Sequence, residues 1–337
     1  MAPLAEKITT KIKHHFGVPR FVHWGYPVFV MAVMLALVYC IECIAVAKEF
    51  PVPSTSLAGY SVYMLLNVFL CLILPSFTLC KGFEDNAMGE YSGVGILALS
   101  LASGFPMMLI SSSLHNLLSW LWLRFDLKIV FPAFFYTGGT ESTEGFIMSL
   151  ISDSILPAFG ISLFFYGLLW SRFRSREKAM AIAVIAVIYT LYSLNVIDST
   201  AILICGVWLG MLRERAGNMF APFLCLIGMK VAELSLTSVL TEVDITTVQT
   251  YSDIPSTFLY ASVPALFLGV VLLYFIKVLA DNFRYDYFSD PHGVATEEEA
   301  EEDREIPDFV KGLCPALLIG MAILAILSIM VMKGVHI

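Results

Sequence analysis

Residues 257–280 read TFLYASVPALFLGVVLLYFIKVLA and contain a single charged side chain, Lys277. A helix of about 20 apolar residues spans the roughly 30 Å hydrocarbon core of a bilayer. Helices are the expected spanning form because each one satisfies its own backbone hydrogen bonds in lipid. This stretch therefore predicts a membrane-spanning helix.

The same pattern recurs along the whole chain. Apolar residues make up 58% of the 337-residue sequence and charged residues only 14%, whereas soluble domains contain about 25% charged residues. We therefore predict an all-α fold, a polytopic helical membrane protein with about nine transmembrane helices. The predicted spans are 24–47, 58–80, 93–123, 146–170, 179–195, 199–213, 219–240, 257–280 and 312–332.

The third predicted span, 93–123, is long and contains Pro106. Proline removes one intrahelical hydrogen bond and its ring clashes with the preceding turn. We therefore expect a kink or a break at this position.

The basic residues predict the orientation. With the N-terminus in the cytoplasm, fifteen of the 20 Lys and Arg residues fall on the cytoplasmic side and four on the other side. Four of the fifteen lie in one loop, 171–178 (SRFRSREK). This distribution follows the positive-inside rule, so residues 1–23 are expected to form a cytoplasmic N-terminal segment. The first apolar run is too long for a signal peptide, so we expect residue 1 to belong to the mature protein.

The net charge of −8 comes largely from one acidic run, residues 297–305 (EEEAEEDRE). Such a run is usually solvated, and it does not suggest nucleic acid as a partner. Seven cysteines are scattered, and Cys40 and Cys43 form a C-x-x-C pair inside the first span. A metal or redox site needs more ligands than this pair supplies. We expect no cofactor and no metal.

A few ionisable residues fall within or beside the predicted spans. Because charges are costly in lipid and face the interior of a helical bundle, each is a candidate for function. Lys230 and Glu233 are three residues apart on one helical face, so they can form an ion pair. The candidates are Glu42, His115, Asp153, Asp198, Lys230 and Glu233.

Arg20, His23 and Trp24 form an Arg-x-x-His-Trp sequence at the first span. The sequence resembles the opening of bacterial b-type cytochromes, whose haems need two axial imidazoles each. Only His115 among the remaining histidines lies clearly within a span. We therefore expect no haem and interpret His23 and Trp24 as an anchor at the membrane interface.

A second resemblance covers about residues 93–240. Its framework consists of Pro157, Gly167, the basic turn 172–178, Gly206, Gly210, the turn 215–218 and Pro222. In this respect the chain resembles the CPBP family, the intramembrane CAAX proteases and bacteriocin-processing proteins. The resemblance implies a CPBP-like membrane domain over 24–240, followed in 241–337 by two additional helices joined by an acidic loop at 281–311. It also implies a multi-pass protein of a bacterial inner membrane.

Although the framework residues match, the residues at the family's motif positions differ in this chain. The family carries E-E-x-x-x-R, then F-x-x-x-H, then H-x-x-x-N or H-x-x-x-D, and a glutamate assisted by histidines activates water for peptide hydrolysis. None of the side chains at these positions here is a carboxylate or an imidazole, so neither hydrolysis nor a metal site is expected there. The positions are Ile161, Ser162, Tyr166, Tyr189, Ser193, Leu226 and Lys230.

Three hypotheses follow. In the first, the protein is a non-catalytic member that binds a transmembrane protein or a lipidated peptide in the former protease cleft, within the lipid bilayer. In the second, it is an active intramembrane endopeptidase whose catalytic groups have moved, with Glu233, His115 and Glu144 as candidates. The third, a small transporter, predicts an internal repeat with matching broken helices, and the sequence has no convincing repeat.

Overall fold

The computed structural model describes residues 25–47, 64–79, 93–125, 150–172, 178–236, 242–243, 248, 250–284 and 315–332. Within this part of the chain every element longer than three residues is a helix, and there are nine such segments, besides a 3₁₀ turn at Tyr251–Asp253. The predicted all-α class is therefore confirmed. The segments are α1 (Gly25–Ala47), α2 (Met64–Leu79), α3 (Val94–Arg124), α4 (150–172), α5 (Lys178–Tyr192), α6 (Ser199–Ala216), α7 (Phe220–Leu236), α8 (Ser256–Arg284) and α9 (Pro315–Met332).

Each predicted span overlaps one of these helical segments, with ends that differ by a few residues. Two of the described helices, Val94–Arg124 and Ser256–Asp281, are long and apolar enough to cross a membrane. The second of these has only 11% of its most apolar stretch buried inside the protein, against 50% for the first. Lipid would therefore cover most of α8, whereas α3 is half enclosed by other helices. That all nine segments cross a membrane stays a prediction.

Helix α3 is the centre of the bundle, and α6, α7 and α8 all pack against it. Its contact with α7 is unusually close because Gly104 and Gly228 meet there without side chains. A methyl group at Gly104 would meet backbone atoms of Gly228 and Met229, and one at Gly228 would meet the carbonyl oxygen of Leu101. Small residues at a helix crossing allow such an approach within membranes.

The last helix returns to the first one. Helix α9 packs mainly against α1, and Gly320 lies against the backbone of Phe29. Helix α8 packs mainly against α3. Both helices after residue 240 are therefore attached to the preceding helices rather than to each other.

Helices α2 and α4 are not regular α-helices. Val68–Ile73, Leu150–Ile155 and Ser162–Leu169 are π-helical, with wider turns than the α-helical stretches beside them. The two helices contact each other where Gly160 meets the side chains of Val68 and Leu72. Widened turns of this kind occur frequently at functional sites.

Of the kink or break predicted at Pro106, the break is wrong, because Val94–Arg124 is one continuous helix with this proline in its interior; the kink stays a prediction. Pro106 is buried, and its carbonyl oxygen faces Gly269 of α8. Neighbouring helices can support a membrane helix at a proline and let it continue. Packing by α8 is the physical reason that we assign to the unbroken helix.

Candidate functional site

A cavity of about 150 Å³ opens between α3, α4, α5, α6 and α7. Most of its wall is apolar, and its polar groups are hydroxyls, one thiol and one ammonium. The lining residues are Ser111, Ser154, Pro157, Ala158, Ile161, Tyr189, Ala201, Ile202, Cys205, Leu226, Met229 and Lys230.

Four of the positions assigned to the family motifs line this cavity. Ile161 comes from α4, Tyr189 from α5, and Leu226 and Lys230 from α7. They belong to three different motifs, separated by tens of residues along the chain, so the fold brings the three motif helices to one place.

The other three motif positions are not among the lining residues. Tyr166 is fully buried, and its hydroxyl donates a hydrogen bond to the Gly206 carbonyl oxygen at 3.0 Å. Ser162 is buried, and its Oγ has no hydrogen-bond partner among the described residues. The Ser193 hydroxyl donates to the Thr190 carbonyl oxygen at 2.7 Å. These three side chains therefore lie in or next to the helices around the cavity and are not part of its lining.

Lys230 is the only charged residue of the cavity lining. Its Nζ lies 2.8 Å from Glu233 Oε2, one turn further along α7. The ion pair that the three-residue spacing predicted is therefore confirmed. Both side chains are more than a third exposed, so the pair is not sealed inside the protein, and Lys230 can exchange Glu233 for another anion.

The cavity wall has few groups that could perform acid–base chemistry. Its lining residues include no carboxylate and no imidazole, which are the groups that usually act as general bases. A cavity of this kind can bind an apolar ligand and hold one anionic group.

Imidazole and carboxylate meet elsewhere, towards the C-terminal end of α3. His115 Nδ1 lies 2.7 Å from Asp198 Oδ1, and His115 Nε2 lies 3.1 Å from the Val243 carbonyl oxygen. The Asn195 amide donates to the other oxygen of Asp198 at 2.7 Å. Leu194, in the turn before it, has a positive φ of 51° and is buried. This turn places Asn195 and Asp198 in front of α3.

Glu242 adds a second carboxylate to this group. The Ser112 hydroxyl donates to Glu242 Oε1 at 2.6 Å. The Val243 N–H donates to Asn116 Oδ1 at 2.8 Å, and the Asn116 amide donates to the Ser262 hydroxyl at 3.1 Å. We call Ser112, His115, Asn195, Asp198 and Glu242 the α3-end cluster.

The remaining candidates are placed as follows. Glu233 contacts Lys230, and His115 contacts Asp198, so the structure does not join Glu233 to His115. Glu144, with the Arg20, His23 and Trp24 sequence, lies outside the described residues, and the side chains of Glu42 and Asp153 do as well. In the described part of the chain, no group of three or more His, Cys, Asp or Glu residues could hold a metal ion.

Ser111 and Ser154 of the cavity and Glu242 of the α3-end cluster were not predicted from the sequence. For Ser111 the sequence does contain a signal, because residues 111–116 read SSSLHN inside an apolar span. Six residues with five polar side chains predict a face that turns away from lipid. Glu242 follows the end of α7 and carries no local signal of its partner.

The comparison with protein families places this geometry in a known context. Residues 143–232 match the family described as type II CAAX prenyl endopeptidase Rce1-like. The match contains α4, α5 and α6 and most of α7, which supply all of the cavity lining except Ser111. It is narrower than the 93–240 expected from the sequence. Searches of curated proteins and of solved structures gave no match.

The matched family consists of integral membrane proteases that act on lipidated substrates. All of the cavity lining except Ser111 comes from the matched stretch, and it includes four of the motif positions. Residues 143–232 of this chain are therefore similar to the domain described as type II CAAX prenyl endopeptidase Rce1-like.

Proposed function

We propose that this chain is a non-catalytic, multi-pass membrane protein that binds the lipidated end of a peptide in the former protease cleft. The observation that carries the proposal is the composition of the cavity wall. Four of the family's motif positions line the cavity. The lining residues nevertheless offer one ammonium group and neither a carboxylate nor an imidazole.

The cavity suits one end of a lipidated ligand. At about 150 Å³ it is smaller than the roughly 300–1,000 Å³ of pockets that enclose a drug-sized molecule. It therefore fits only a part of such a ligand. Its walls of Ile161, Leu226 and Met229 favour a hydrocarbon chain, and the rest of the ligand would lie in the surrounding bilayer.

Lys230 gives the site a preference for an anionic group. Its ammonium lies at the cavity wall and is paired with the half-exposed Glu233. A ligand carboxylate could take the place of Glu233, because both are carboxylates that form charge-assisted hydrogen bonds with an ammonium. Glu233 would then return to the surface.

The membrane topology belongs to the same proposal. Nine spans with a cytoplasmic N-terminus put the end of α3, the start of α6 and the residues after α7 on the same, outer side. The contacts of His115, Asp198 and Glu242 join these three places, which supports the alternation of the helices.

An active endopeptidase with relocated groups is the second candidate. The contact between His115 and Asp198, with Glu242 nearby, favours it because imidazole and carboxylate converge there. Against it, both ring nitrogens of His115 already face acceptor oxygens, and none of the three residues is part of the cavity lining.

The binding test uses the full chain in lipid nanodiscs and a fluorescent peptide with a farnesylated C-terminal cysteine. The same peptide without the farnesyl group is the ligand control. Leu226→Trp fills the cavity and is expected to abolish binding. Lys230→Gln removes the charged partner and is expected to weaken binding roughly ten-fold to hundred-fold, the effect of one charge-assisted hydrogen bond.

Lys277→Gln is the matched control, because it removes one ammonium from α8, outside the cavity lining. It should leave the affinity unchanged. Equal affinities for wild type, Leu226→Trp and Lys277→Gln would contradict the proposed site.

A further inference from the structure

After α7, two consecutive residues contact the C-terminal end of α3 through several hydrogen bonds and an apolar contact. We call Glu242 and Val243 the strap. The Val243 backbone bonds to α3 at both of its polar groups: its N–H donates to Asn116 Oδ1 at 2.8 Å, and its carbonyl oxygen lies 3.1 Å from His115 Nε2. Ser112 holds the Glu242 carboxylate at 2.6 Å.

An apolar contact supports these bonds. The Val243 side chain is buried against Leu123 and Ile254, and Trp120 and Phe258 pack around them. The strap is therefore a docked segment and not a loose connection. Of the contacts that hold the strap, the one from His115 depends on the protonation state of the imidazole ring.

Both ring nitrogens of His115 face atoms that accept hydrogen bonds. Nε2 faces a backbone carbonyl, which cannot donate, and Nδ1 faces a carboxylate oxygen of Asp198. A neutral imidazole has one N–H, whereas the protonated ring has two donors. Only the protonated ring satisfies both oxygens at once.

We propose that His115 is a proton-operated latch, which holds the strap on α3 while the ring is protonated and releases it when the second ring proton is lost. The neutral ring must give up either Asp198 or the Val243 carbonyl. Of the two acceptors, the anionic Asp198 keeps the remaining N–H because a charged acceptor forms the stronger hydrogen bond.

Two acidic groups surround the ring: Asp198 at the start of α6 and Glu242 of the strap are the charged groups that face it within the described residues. Helix α8 presents the uncharged Ser262 to the neighbouring Asn116, and the charges on α7, Lys230 and Glu233, offset each other. The direction of the switch follows from the imidazole itself, which loses its second proton as the pH rises. Release therefore occurs as the pH rises.

The latch lies beside the cavity but not in it. Ser111 of the cavity wall precedes Ser112, which binds the strap, and Ile202 of the wall is one turn from Asp198. Loss of the strap would loosen this end of the wall. The latch itself rests on the contacts of α3 and not on the function proposed for the cavity.

The test is hydrogen–deuterium exchange of the full chain in nanodiscs, from about pH 5 to about pH 10, around the ordinary range of histidine. Uptake by the peptide that contains Val243 is expressed as a protection factor, which removes the intrinsic pH dependence of exchange. We expect protection to fall roughly ten-fold to hundred-fold as the pH rises, the effect of one charge-assisted hydrogen bond. Constant protection over this range would overturn the latch.

Three variants sharpen the test. His115→Gln should give low, pH-independent protection. In Asp198→Asn the amide can donate to Nδ1, so a neutral ring can keep its Nε2–H on the Val243 carbonyl, and protection should stay high as the pH rises. Asp281→Asn is the matched control, because it also converts a paired carboxylate to an amide, but beside Arg215 at the opposite end of α6. Its fall in protection should equal that of wild type. A fall in Asp198→Asn as large as that of wild type would refute the latch even if His115→Gln fails to fold.

Discussion

Replacing Gly104 with alanine tests the close crossing of α3 and α7. The added methyl group would meet the backbone nitrogen of Met229, the carbonyl carbon of Gly228 and the Cys225 carbonyl oxygen. All three atoms belong to the backbone of α7, so no side chain can rotate away. The two helices must separate.

The size of the effect follows from these contacts. Carbon atoms pack at about 3.5–4.0 Å, and a gap of 0.5–1 Å forfeits roughly a quarter to a half of the dispersion energy of each contact along a helix pair. Overpacking typically costs about 1–3 kcal/mol, and a clash with backbone belongs at the upper end. We therefore expect Gly104→Ala to lower the free energy of unfolding by about 3 kcal/mol. Helix propensity alone predicts the opposite sign, since alanine is about 1 kcal/mol better than glycine in a helix.

Thermal unfolding in nanodiscs, followed by circular dichroism, measures the effect. Gly210→Ala is the intermediate case, because its methyl would lie 3.0 Å from a side-chain atom of Ile182, which can adjust. Gly93→Ala is the control, because nothing lies within 4 Å of its methyl. The apparent Tm should fall most for Gly104→Ala, less for Gly210→Ala and least for Gly93→Ala.

The opposite order of the three Tm values would show that α3 and α7 do not pack as closely as the contacts at Gly104 indicate. If Gly104→Ala were as stable as wild type, helix propensity would outweigh the crossing, and the close approach of α3 and α7 would not exist in the protein. Because Met229 and Lys230 follow Gly228 and line the cavity, the variant should also weaken binding of the farnesylated peptide.

Two further predictions concern arginines at the end of α6. Arg213 is buried and donates from Nε to the Tyr166 carbonyl oxygen at 2.7 Å, so Arg213→Gln should lower the free energy of unfolding by about 1.5–3 kcal/mol, measured by the same unfolding assay; an unchanged Tm would contradict this anchoring role. Arg215 pairs with Asp281 at 2.6 Å; the Arg215 side chain is only 9% exposed, but the carboxylate is 45% exposed, and a pair with a solvated carboxylate contributes about 1 kcal/mol or less. Asp281→Asn keeps an acceptor oxygen for Arg215 and should therefore leave the Tm almost unchanged, whereas a large fall would show that the buried guanidinium depends on the charge of its partner.

The helices could be predicted because each is an apolar run between polar loops. Gly25–Ala47 and Val94–Arg124 differ from their predicted spans by only a residue at an end. The break at Pro106 was wrong because the proline rule treats a helix as isolated, whereas α8 packs at this position. The π-helical turns in α2 and α4 have no signature in residue type, so the sequence did not reveal them.

The cavity was partly predictable for a different reason. Aligning framework glycines and the basic turn with the family motifs assigned seven motif positions, and four of them, Ile161, Tyr189, Leu226 and Lys230, line one cavity. Of the five side chains predicted to line the cleft, Tyr189 and Lys230 do so, and Tyr166, Ser162 and Ser193 do not. A motif fixes a position along the chain and not the direction of a side chain: Ser162 lies on π-helical turns and Ser193 directly follows α5.

The α3-end cluster could not be predicted. His115 and Asp198 are separated by 83 residues, and Ser112 and Glu242 by 130. Local periodicity carries no information on pairs at this distance. Glu242 also lies after residue 232, beyond the region that matches the family, so the resemblance could not point to it.

The proposed function requires that the cleft binds a lipidated peptide and leaves it intact. The most direct measurement incubates the full chain in nanodiscs with farnesylated C-terminal peptides and reads the products by mass spectrometry. An active type II CAAX prenyl endopeptidase under the same conditions shows that the peptides can be cleaved. We predict intact peptides with this chain and fragments with the active enzyme. Fragments produced by this chain, and lost in Glu233→Ala or His115→Ala, would contradict the claim and establish a relocated catalytic group.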